Sequence, residues 1–283
     1  MSKPANMSKN FLITGAARGI GRGLSRLLLA KGHKVLLFDN NKQEIEHLRS
    51  HLPKLCPNTA SSNWHIQEGD LTSPSDITTA ASKASSFFNG KLDCLVNNAF
   101  YANVGGVPFH ELSLDEWTRT LQTNLTGTML MTQACLPMLR RKRETEDYAT
   151  DVYTSVINMS STRAKQSEPN SEGYATTKAG LIGLTQALAC SLAADDEYHA
   201  VSVNAILPGW INVVHESKDG DENGKTWEGG LSKDDQRWHW TGRVGKVEDI
   251  LQAVEYLVNS GGFVTGQEIV VDGGVTRRMV YPE

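Results

Sequence analysis

The sequence predicts an α/β protein built as a single doubly wound, Rossmann-type domain, with a seven-stranded parallel sheet and helices on both faces. Short apolar runs that end in turn residues are typical of strands buried in a parallel sheet, and they alternate with longer segments of helical periodicity. No Pro/Gly-rich linker or internal repeat divides the 283 residues. We therefore expect a flexible segment at residues 1–10 and one domain at residues 11–283.

Each of the first six predicted strands is followed by a helical segment, as right-handed crossovers in a parallel sheet require. The predicted strands are Phe11–Ile13, Val35–Phe38, Trp64–Gln67, Leu92–Val96, Ser155–Met159, Val201–Leu207 and Ile269–Val271. Gly32 ends the first helix, Pro74 opens the third in its first turn, and Ser113 with Glu116 forms a capping-box start. The predicted helices are Gly19–Lys31, Gln43–Leu52, a helix starting at Ser73, Ser113–Arg141, Gly173–Ala194 and Val247–Asn259.

Composition narrows the function classes. The net charge of −4, from 28 basic and 32 acidic residues, provides no broad field for nucleic acid or anionic lipid. No apolar run reaches the roughly 18–20 residues of a membrane helix, and the polar N-terminus lacks a signal-peptide core. The four cysteines lie singly in different elements and are expected to be reduced thiols. We expect a cytoplasmic protein.

Two stretches interrupt the alternation and are predicted to be surface insertions. One is the highly charged segment Arg141–Thr154, and the other is the long, glycine-rich segment Asn212–Thr241. We expect residues 210–241 to form a lid, whose four tryptophans either line an apolar pocket or pack the lid onto the domain or a second subunit. These tryptophans are Trp210, Trp227, Trp238 and Trp240.

No metal site is predicted. His215 and His239 have no carboxylate or cysteine at ligand spacing, and the pair His47 and His51 is expected to lie on a solvated helix face.

A glycine-rich loop connects the first predicted strand to the first helix. Gly15, Gly19 and Gly21 lie in a G-x-x-x-G-x-G spacing, which differs from the usual dinucleotide fingerprint. Glycines at this position allow the backbone to approach a pyrophosphate, and the helix N-terminus offers free N–H groups and the positive end of its dipole. The alternative is an ordinary tight turn, which the flanking strand and helix disfavour.

Asp39 and Arg18 favour different cofactors, NAD and NADP respectively. Asp39 ends the second strand, where a carboxylate can accept hydrogen bonds from the adenosine ribose hydroxyls and would repel a 2′-phosphate. Arg18 could pair with that phosphate. We give Asp39 more weight because its charge would lie beside the phosphate, so NAD is expected, with NADP as the alternative.

Tyr174 and Lys178 lie four residues apart at the start of a predicted helix and therefore share one face. A nearby ammonium favours the phenolate and lowers the tyrosine pKa toward working pH. Such a phenol can exchange a proton with a hydroxyl or carbonyl oxygen during hydride transfer. The spacing by itself is common, and a surface pair is the alternative.

Together these motifs resemble the classical short-chain dehydrogenase/reductase family over nearly the whole chain, from Asn10 to Gly274. The glycine loop, the Tyr/Lys pair and five further motifs lie in the family's order. The further motifs are Asn97-Asn98-Ala99, Asn124, Ser161 thirteen residues before Tyr174, Pro208-Gly209 and Val271-Asp272-Gly273-Gly274. One departure is Phe100, where the family usually has glycine.

The resemblance implies a role for each matching residue. Tyr174 would be the general acid/base, Lys178 would lower its pKa and bind the nicotinamide ribose, Ser161 would hydrogen-bond the reacting oxygen, and Asn124 would hold a water in a proton relay. Ser160 is the alternative to Ser161. The residues expected to contact the cofactor are Gly15, Arg18, Gly19, Ile20, Gly21, Asp39, Asp70, Leu71, Asn97, Ala99, Tyr174, Lys178, Pro208, Gly209 and Ile211.

The leading hypothesis is an oxidoreductase that transfers a hydride between a nicotinamide cofactor and a secondary alcohol or ketone of a small molecule. The alternatives are an NADP-preferring carbonyl reductase and a non-catalytic protein that senses nicotinamide nucleotides. The resemblance also implies a homo-oligomer, with a tetramer favoured, and no nucleic-acid or membrane partner.

Overall fold

The computed structural model describes residues 8–102, 106–141 and 153–279, and it confirms the seven-stranded, all-parallel sheet. The strand order is β3-β2-β1-β4-β5-β6-β7, so the order reverses between β1 and β4. Ligands of doubly wound sheets bind at such a switch point, outside the carboxyl ends of the strands. The strands are β1 Asn10–Thr14, β2 Lys34–Asp39, β3 Trp64–Glu68, β4 Cys94–Asn97, β5 Thr154–Met159, β6 Val201–Pro208 and β7 Glu268–Val271.

The helices match the predicted order but not every boundary. They are α1 Gly19–Ala30, α2 Lys42–Leu55, α3 Pro74–Phe87, α4 Leu114–Leu121, α5 Gly127–Leu139, α6 Glu172–Ala193, α7 Lys218–Glu222, α8 Lys233–Trp238 and α9 Val247–Asn259. The predicted long helix over Ser113–Arg141 extends without a break from Leu114 to Leu139, but a π-helical turn at Gln122–Thr126 lies between α4 and α5. The sequence did not predict this wider turn, which is a local feature inside the helix.

Two apolar layers cover the sheet because successive strand residues point to opposite faces. On one face, Ile13 of β1 packs with Leu24 of α1 and Ile250 of α9. On the other face, Leu12 packs with the layer that includes Ala80 of α3 and Met131 of α5. These layers hold the strands and the N-termini of their crossover helices in fixed positions at the carboxyl edge of the sheet.

The terminal segment and the insertions differ in part from expectation. Asn10 was assigned to a flexible segment but begins β1, where its N–H donates to the Asp93 carboxylate at 2.8 Å. Residues 1–7, and most of the predicted insertion at residues 142–152, lie outside the described residues. The second insertion contains α7 and α8. Among the helices of the described ranges, none is long and apolar enough to cross a membrane.

The prediction that His47 and His51 lie on a solvated face is wrong, because α7 covers them. The side chains are 14% and 26% exposed, and His47 Nε2 lies 2.7 Å from the Asp221 carboxylate. Arg22 Nη2, on α1, donates to the same carboxylate oxygen at 2.6 Å. The possible ligand atoms of His47, His51 and Asp221 are within 4.8 Å of one another. The guanidinium beside them opposes a metal ion and makes this cluster an anchor for α7.

Candidate active site

The glycine loop after β1 provides a cradle that larger side chains would fill. Gly15 and Gly19 both have a φ of +63°, which favours glycine. A Cβ on Gly15 would lie 2.7 Å from Ala99 Cα, and one on Gly21 would collide with the Gly15 carbonyl oxygen. The glycines therefore allow β1, α1 and the end of β4 to approach closely. Arg18 lies in the same loop and is exposed, and Ile20 lies in the first turn of α1.

Asp39 lies at the end of β2 and is only 9% exposed. One carboxylate oxygen accepts from the Ala17 N–H and the other from the Asn41 N–H, both at 2.9 Å. The carboxylate thus fixes the glycine loop. Each oxygen has a further lone pair, so both can still accept from ribose hydroxyls.

Asp70 and Leu71 follow β3 on the same edge of the sheet. Burial acts to raise the pKa of Asp70, but hydrogen bonds from the Thr72 N–H and hydroxyl outweigh it and lower the pKa below the ordinary value. Leu71 is buried against Gly127 at the start of α5. Asp70 and Leu71 therefore lie at the end of β3, next to Asp39 at the end of the neighbouring strand β2.

At the end of β4, the side chains of Asn97 and Asn98 form hydrogen bonds with different parts of the protein. Asn97 Nδ2 donates to Thr132 and Asn158 in the protein interior, at 2.9 Å each, so the Asn97 side chain belongs to a buried polar network. Asn98, which the sequence reasoning did not select, donates to the carbonyl oxygens of Thr14 and Gly15 at 2.9 and 3.0 Å. Asn98 therefore ties β4 to the glycine loop across the switch point.

Ser161 and Tyr174 come together beyond the end of β5. Burial raises the pKa of Tyr174, while the nearby Ser161 hydroxyl and the positive charge of Arg163 act in the opposite direction. Ser160, the alternative to Ser161, donates to the Lys178 carbonyl oxygen at 2.7 Å and so supports α6. The sequence analysis does not include Arg163 among the site residues. Its position two residues after Ser161 is the one feature of the sequence that could have indicated its place near Tyr174.

Lys178 is 1% exposed, and its Nζ donates to the Met159 carbonyl oxygen at 2.7 Å. Burial lowers the pKa of Lys178 to about 7. The i, i+4 spacing predicts that Lys178 lowers the pKa of Tyr174. In this structure burial raises that pKa and outweighs the opposing effects of the Ser161 hydroxyl and Arg163. Two of the three ammonium donors remain for another ligand.

The Phe100 ring lies against both Lys178 and Tyr174. Its ring is 5.0 Å from Lys178 Nζ and makes an edge-to-face contact with Tyr174 at 5.7 Å between centroids. The ring is 54% exposed toward the cavity. The departure from the family's glycine therefore puts an aromatic ring against Lys178, the residue that the resemblance expects to bind the nicotinamide ribose.

Asn124 lies in the π-helical turn and is 1% exposed. Its side chain accepts from the Tyr101 N–H at 2.7 Å and donates to the Tyr101 carbonyl oxygen and the Thr177 hydroxyl, both at 3.0 Å. These contacts join the loop after β4 to α6 one residue before Lys178. The structure thus brings Asn124, Ser161, Tyr174 and Lys178 into one neighbourhood.

The chain leaves β6 through Pro208 and Gly209. A Cβ on Gly209 would lie 2.8 Å from Asp272 Cβ, so glycine lets the chain pass the end of β7. Ile211 then forms a parallel bridge with Gly245. This bridge fixes the beginning of the lid beside the catalytic residues.

The four lid tryptophans have different roles. Trp210 and Trp238 line a cavity of about 1200 Å³ that opens beside Ser161 and Tyr174. Trp227 instead donates to the Gly245 carbonyl oxygen at 2.9 Å, and Trp240 packs against Gly274. Two of these tryptophans therefore line a cavity and the other two pack the segment onto the domain, so both predicted roles occur in one segment.

The lid is anchored to α1 as well as to β6. The Gly19 N–H donates to the Glu216 carbonyl oxygen at 2.7 Å, and the buried Glu216 carboxylate accepts from Arg26 Nη2 at 2.6 Å. Neither contact was selected from the sequence, because the partners are far apart along the chain. The anchor places the lid next to the glycine loop.

These residues fit a nicotinamide dinucleotide. The glycine cradle suits a pyrophosphate, the Asp39 carboxylate suits ribose hydroxyls, and the buried Lys178 ammonium has donors left for a second ribose. All of them lie at the carboxyl ends of adjacent strands.

Comparison with known proteins gives relatives along almost the entire chain. A family model described as enoyl-(acyl carrier protein) reductase matches residues 15–276. An uncharacterized oxidoreductase of Thermotoga maritima is 30% identical over 275 residues, which are 96% of this chain and 97% of that protein. L-fucose dehydrogenase of Mus musculus is 30% identical over 270 residues, covering 94% of this chain and 88% of the relative.

Solved structures show the same similarity. A short-chain dehydrogenase/reductase of Brucella melitensis, described as glucose/ribitol dehydrogenase, superposes with a TM-score of 0.75 at 25% identity, covering 96% of this chain and 97% of that one. The 3-ketoacyl-(acyl-carrier-protein) reductase of Brucella melitensis complexed with NADH gives 0.73 at 27%, covering 95% and 98%. ElxO with NADP bound gives 0.75 at 25%, covering 96% and 100%.

Proposed function

We propose a specific reaction and a residue assignment for this chain, which belongs to the classical short-chain dehydrogenase/reductase family and is a nicotinamide-dependent oxidoreductase of alcohols and ketones. The chain oxidises a secondary alcohol of a small molecule, or reduces the ketone, with Tyr174 as the acid/base and NAD as the preferred cofactor. The observation that carries the proposal is the juxtaposition of Ser161, Tyr174 and buried Lys178 at the carboxyl edge of the sheet.

In this mechanism the protein's residues transfer the proton and orient the substrate and the cofactor. Tyr174, in its phenolate form, accepts the hydroxyl proton as the alcohol is oxidised and becomes the neutral phenol, and Ser161 hydrogen-bonds the same oxygen and holds it against Tyr174. Lys178 orients the cofactor ribose through its free ammonium donors, and Asn124 fixes the helix that carries Lys178. When bound, a nicotinamide would supply the hydride acceptor. In reduction each residue acts in the reverse sense.

Turnover tests the proposal directly. A panel of secondary alcohols and ketones is assayed with NAD and NADP, and the absorbance of the reduced nicotinamide is followed. A non-catalytic sensor would bind the cofactor without turnover. The presence of Tyr174, Lys178, Ser161 and Asn124 in one site favours an enzyme over a sensor.

Cofactor preference should follow Asp39. Charge-assisted hydrogen bonds to ribose hydroxyls are worth roughly 1.5–3 kcal/mol each, so NAD should be preferred over NADP by at least about tenfold. Asp39→Asn retains an acceptor but removes the charge, and it should shift the preference toward NADP. Arg18→Ala should change NAD kinetics little. The readout is the ratio of kcat/KM for the two cofactors.

The same change at Asp115, which is exposed on α4, serves as the control and should leave that ratio unchanged. A wild-type preference for NADP that disappears in Arg18→Ala would show that Arg18, rather than Asp39, decides the choice.

Phe100 should compete with the cofactor for Lys178. A cation–π contact is worth about 0.5–2 kcal/mol and would be given up when the ribose takes its place. Phe100→Gly should therefore tighten NADH binding roughly twofold to thirtyfold, as measured by fluorescence titration. Phe109→Gly removes an exposed ring outside the cavity and is the control. Weaker binding in Phe100→Gly would mean that the ring holds the cofactor.

Assembly as a homotetramer and a cytoplasmic location complete the proposal. Large apolar side chains at the β7 end of the sheet support assembly: Tyr256 is 56% exposed, Phe263 97% and Val270 39%. Light scattering at micromolar concentration should give the mass of four chains. A monomeric mass would contradict the assembly without affecting the catalytic assignment.

A further inference from the structure

Arg163 connects the two segments that carry the Ser161 and Tyr174 hydroxyls. It lies in the 3₁₀ turn Thr162–Ala164, directly after Ser161. Its N–H donates to the Ser161 hydroxyl oxygen at 3.1 Å, and its Nη1 donates to the Ser171 hydroxyl at 3.3 Å. Ser171 is the residue before α6, which carries Tyr174 in its first turn. Arg163 is thus in contact with both sides of the site at which the substrate oxygen is expected.

The main-chain contact with Ser161 orients the hydroxyl of that residue. A serine hydroxyl has one proton to donate and two lone pairs with which to accept. Since the Arg163 N–H occupies one lone pair, the Ser161 proton remains available to the reacting oxygen. Because this contact comes from the main chain, substitution of the Arg163 side chain leaves it in place and tests the guanidinium separately.

The guanidinium of Arg163 lies at the end of α6 that basic groups ordinarily disfavour. The N-terminus of a helix is the positive end of its dipole, where acidic side chains are stabilising. Glu172 in the first turn follows this rule, and Arg163 does not. The positive charge of Arg163 instead acts to lower the pKa of Tyr174, against the larger effect of burial. The position of Arg163 therefore suits a phenolate at Tyr174 better than it suits the helix.

Glu168 limits the positive charge that Arg163 provides. Its carboxylate forms an ion pair with the guanidinium, and both side chains line the cavity beside Ser161 and Tyr174. Arg163 is 30% exposed and Glu168 is 59% exposed, and an ion pair so open to water contributes little to folding stability. Glu168 nevertheless cancels part of the charge of Arg163, so the two residues act on Tyr174 with opposite signs.

The other charged groups near Tyr174 are one ammonium and several carboxylates. The Lys178 ammonium lies 5.3 Å from the centre of the Tyr174 ring, and it loses its charge as the pH rises past its lowered pKa of about 7. Further acidic residues line the cavity from α4, α6 and α8: Glu116, Glu172, Asp234 and Asp235. Among the described residues that line the cavity, Arg163 is the only cation, and a guanidinium keeps its charge at every working pH.

We propose that Arg163 is a positioning residue that acts through Tyr174: its guanidinium favours the phenolate form, and Glu168 determines how much of that positive charge the phenolate experiences. The inference rests on the proposed function, in which the phenolate accepts the proton of the substrate. Oxidation needs the phenolate and reduction needs the neutral phenol, so both directions depend on this charge. The ion pair thus sets the pH range in which each direction runs.

The test is the pH dependence of kcat/KM of the full-length chain in both directions, with a turned-over alcohol and its ketone. Arg163→Met should move the rise of the oxidation profile and the fall of the reduction profile to higher pH, by about half a pH unit or more, because the phenolate loses a nearby cation. Glu168→Gln should move both to lower pH, because the guanidinium is no longer neutralised. Arg163→Lys keeps the charge and should restore the wild-type profiles.

The matched control is the ion pair of Arg140 and Glu197, which is similarly exposed, at 42% and 60%, and lies outside the cavity. Arg140→Met and Glu197→Gln should leave both profiles unchanged. Profiles that stay in place in Arg163→Met and Glu168→Gln, or that move in the same direction in both, would overturn the inference.

A titration without turnover separates this inference from the proposed function. The ultraviolet absorbance of tyrosinate is measured against pH in each protein and in the same protein with Tyr174→Phe, so that the difference reports Tyr174 alone. This difference should shift to higher pH in Arg163→Met and to lower pH in Glu168→Gln. A chain that turns over no alcohol or ketone would contradict the proposed function, whereas an unshifted tyrosinate titration in both variants would overturn the effect of the ion pair on Tyr174.

Discussion

Tyr174→Phe should lose on the order of 10²- to 10⁴-fold in kcat while retaining cofactor affinity. The change keeps the ring, and with it the edge-to-face contact with Phe100, but removes the hydroxyl that is proposed to exchange the proton. General acid–base catalysis typically contributes this factor. The measurements are initial rates with a turned-over alcohol, together with NADH titration for binding.

The matched control is Tyr198→Phe, which makes the same change at a half-buried tyrosine outside the cavity. Near-full turnover in Tyr174→Phe would remove Tyr174 from the acid/base role. A parallel loss of NADH affinity would instead indicate that the hydroxyl is needed to hold the cofactor.

The fold was predictable because buried parallel strands are encoded locally. Each is a short apolar run between polar turns, and its place is determined by the helices on either side. The π-helical turn around Asn124 was not predictable in this way, because a single wider turn inside a helix is too short to have a periodic signal of its own. Its position depends on side-chain contacts with Tyr101 and Thr177 that only the folded chain brings together.

The proximity of the proposed catalytic residues was predictable for a different reason. Tyr174 and Lys178 are four residues apart on one helix, so their proximity follows from sequence spacing. Arg163 acts on Tyr174 from a loop, and Phe100 reaches the pair from the end of β4. Contacts between separate elements leave no periodic signal, so the local electrostatics of the site had to come from the structure.

Lys178→Met should show opposite effects on function and stability. Loss of the ammonium removes the donors proposed to hold the cofactor ribose, so NADH binding should weaken by about tenfold or more and turnover should fall. The free energy of unfolding should nevertheless rise at neutral and lower pH, because the protein no longer buries an ammonium. Lys54→Met, at an exposed position on α2, is the control and should change neither quantity. Unchanged cofactor affinity would exclude Lys178 from the site.

The size and pH dependence of this stability gain follow from the lowered pKa of Lys178. A pKa of about 7 instead of 10.5 corresponds to roughly 5 kcal/mol, at about 1.4 kcal/mol per pH unit. The substitution also removes the donor to the Met159 carbonyl oxygen, which costs about 1–3 kcal/mol, so a net gain of about 2 kcal/mol or more is expected below pH 7.

Between pH 7 and 10.5 the unfolded chain binds a proton that the folded chain does not, so wild-type stability rises with pH across this window. The advantage of Lys178→Met should therefore shrink as pH rises, and urea unfolding of both proteins near the two ends of the window measures it. An advantage that stays constant with pH would show that Lys178 is not a buried ammonium with a lowered pKa.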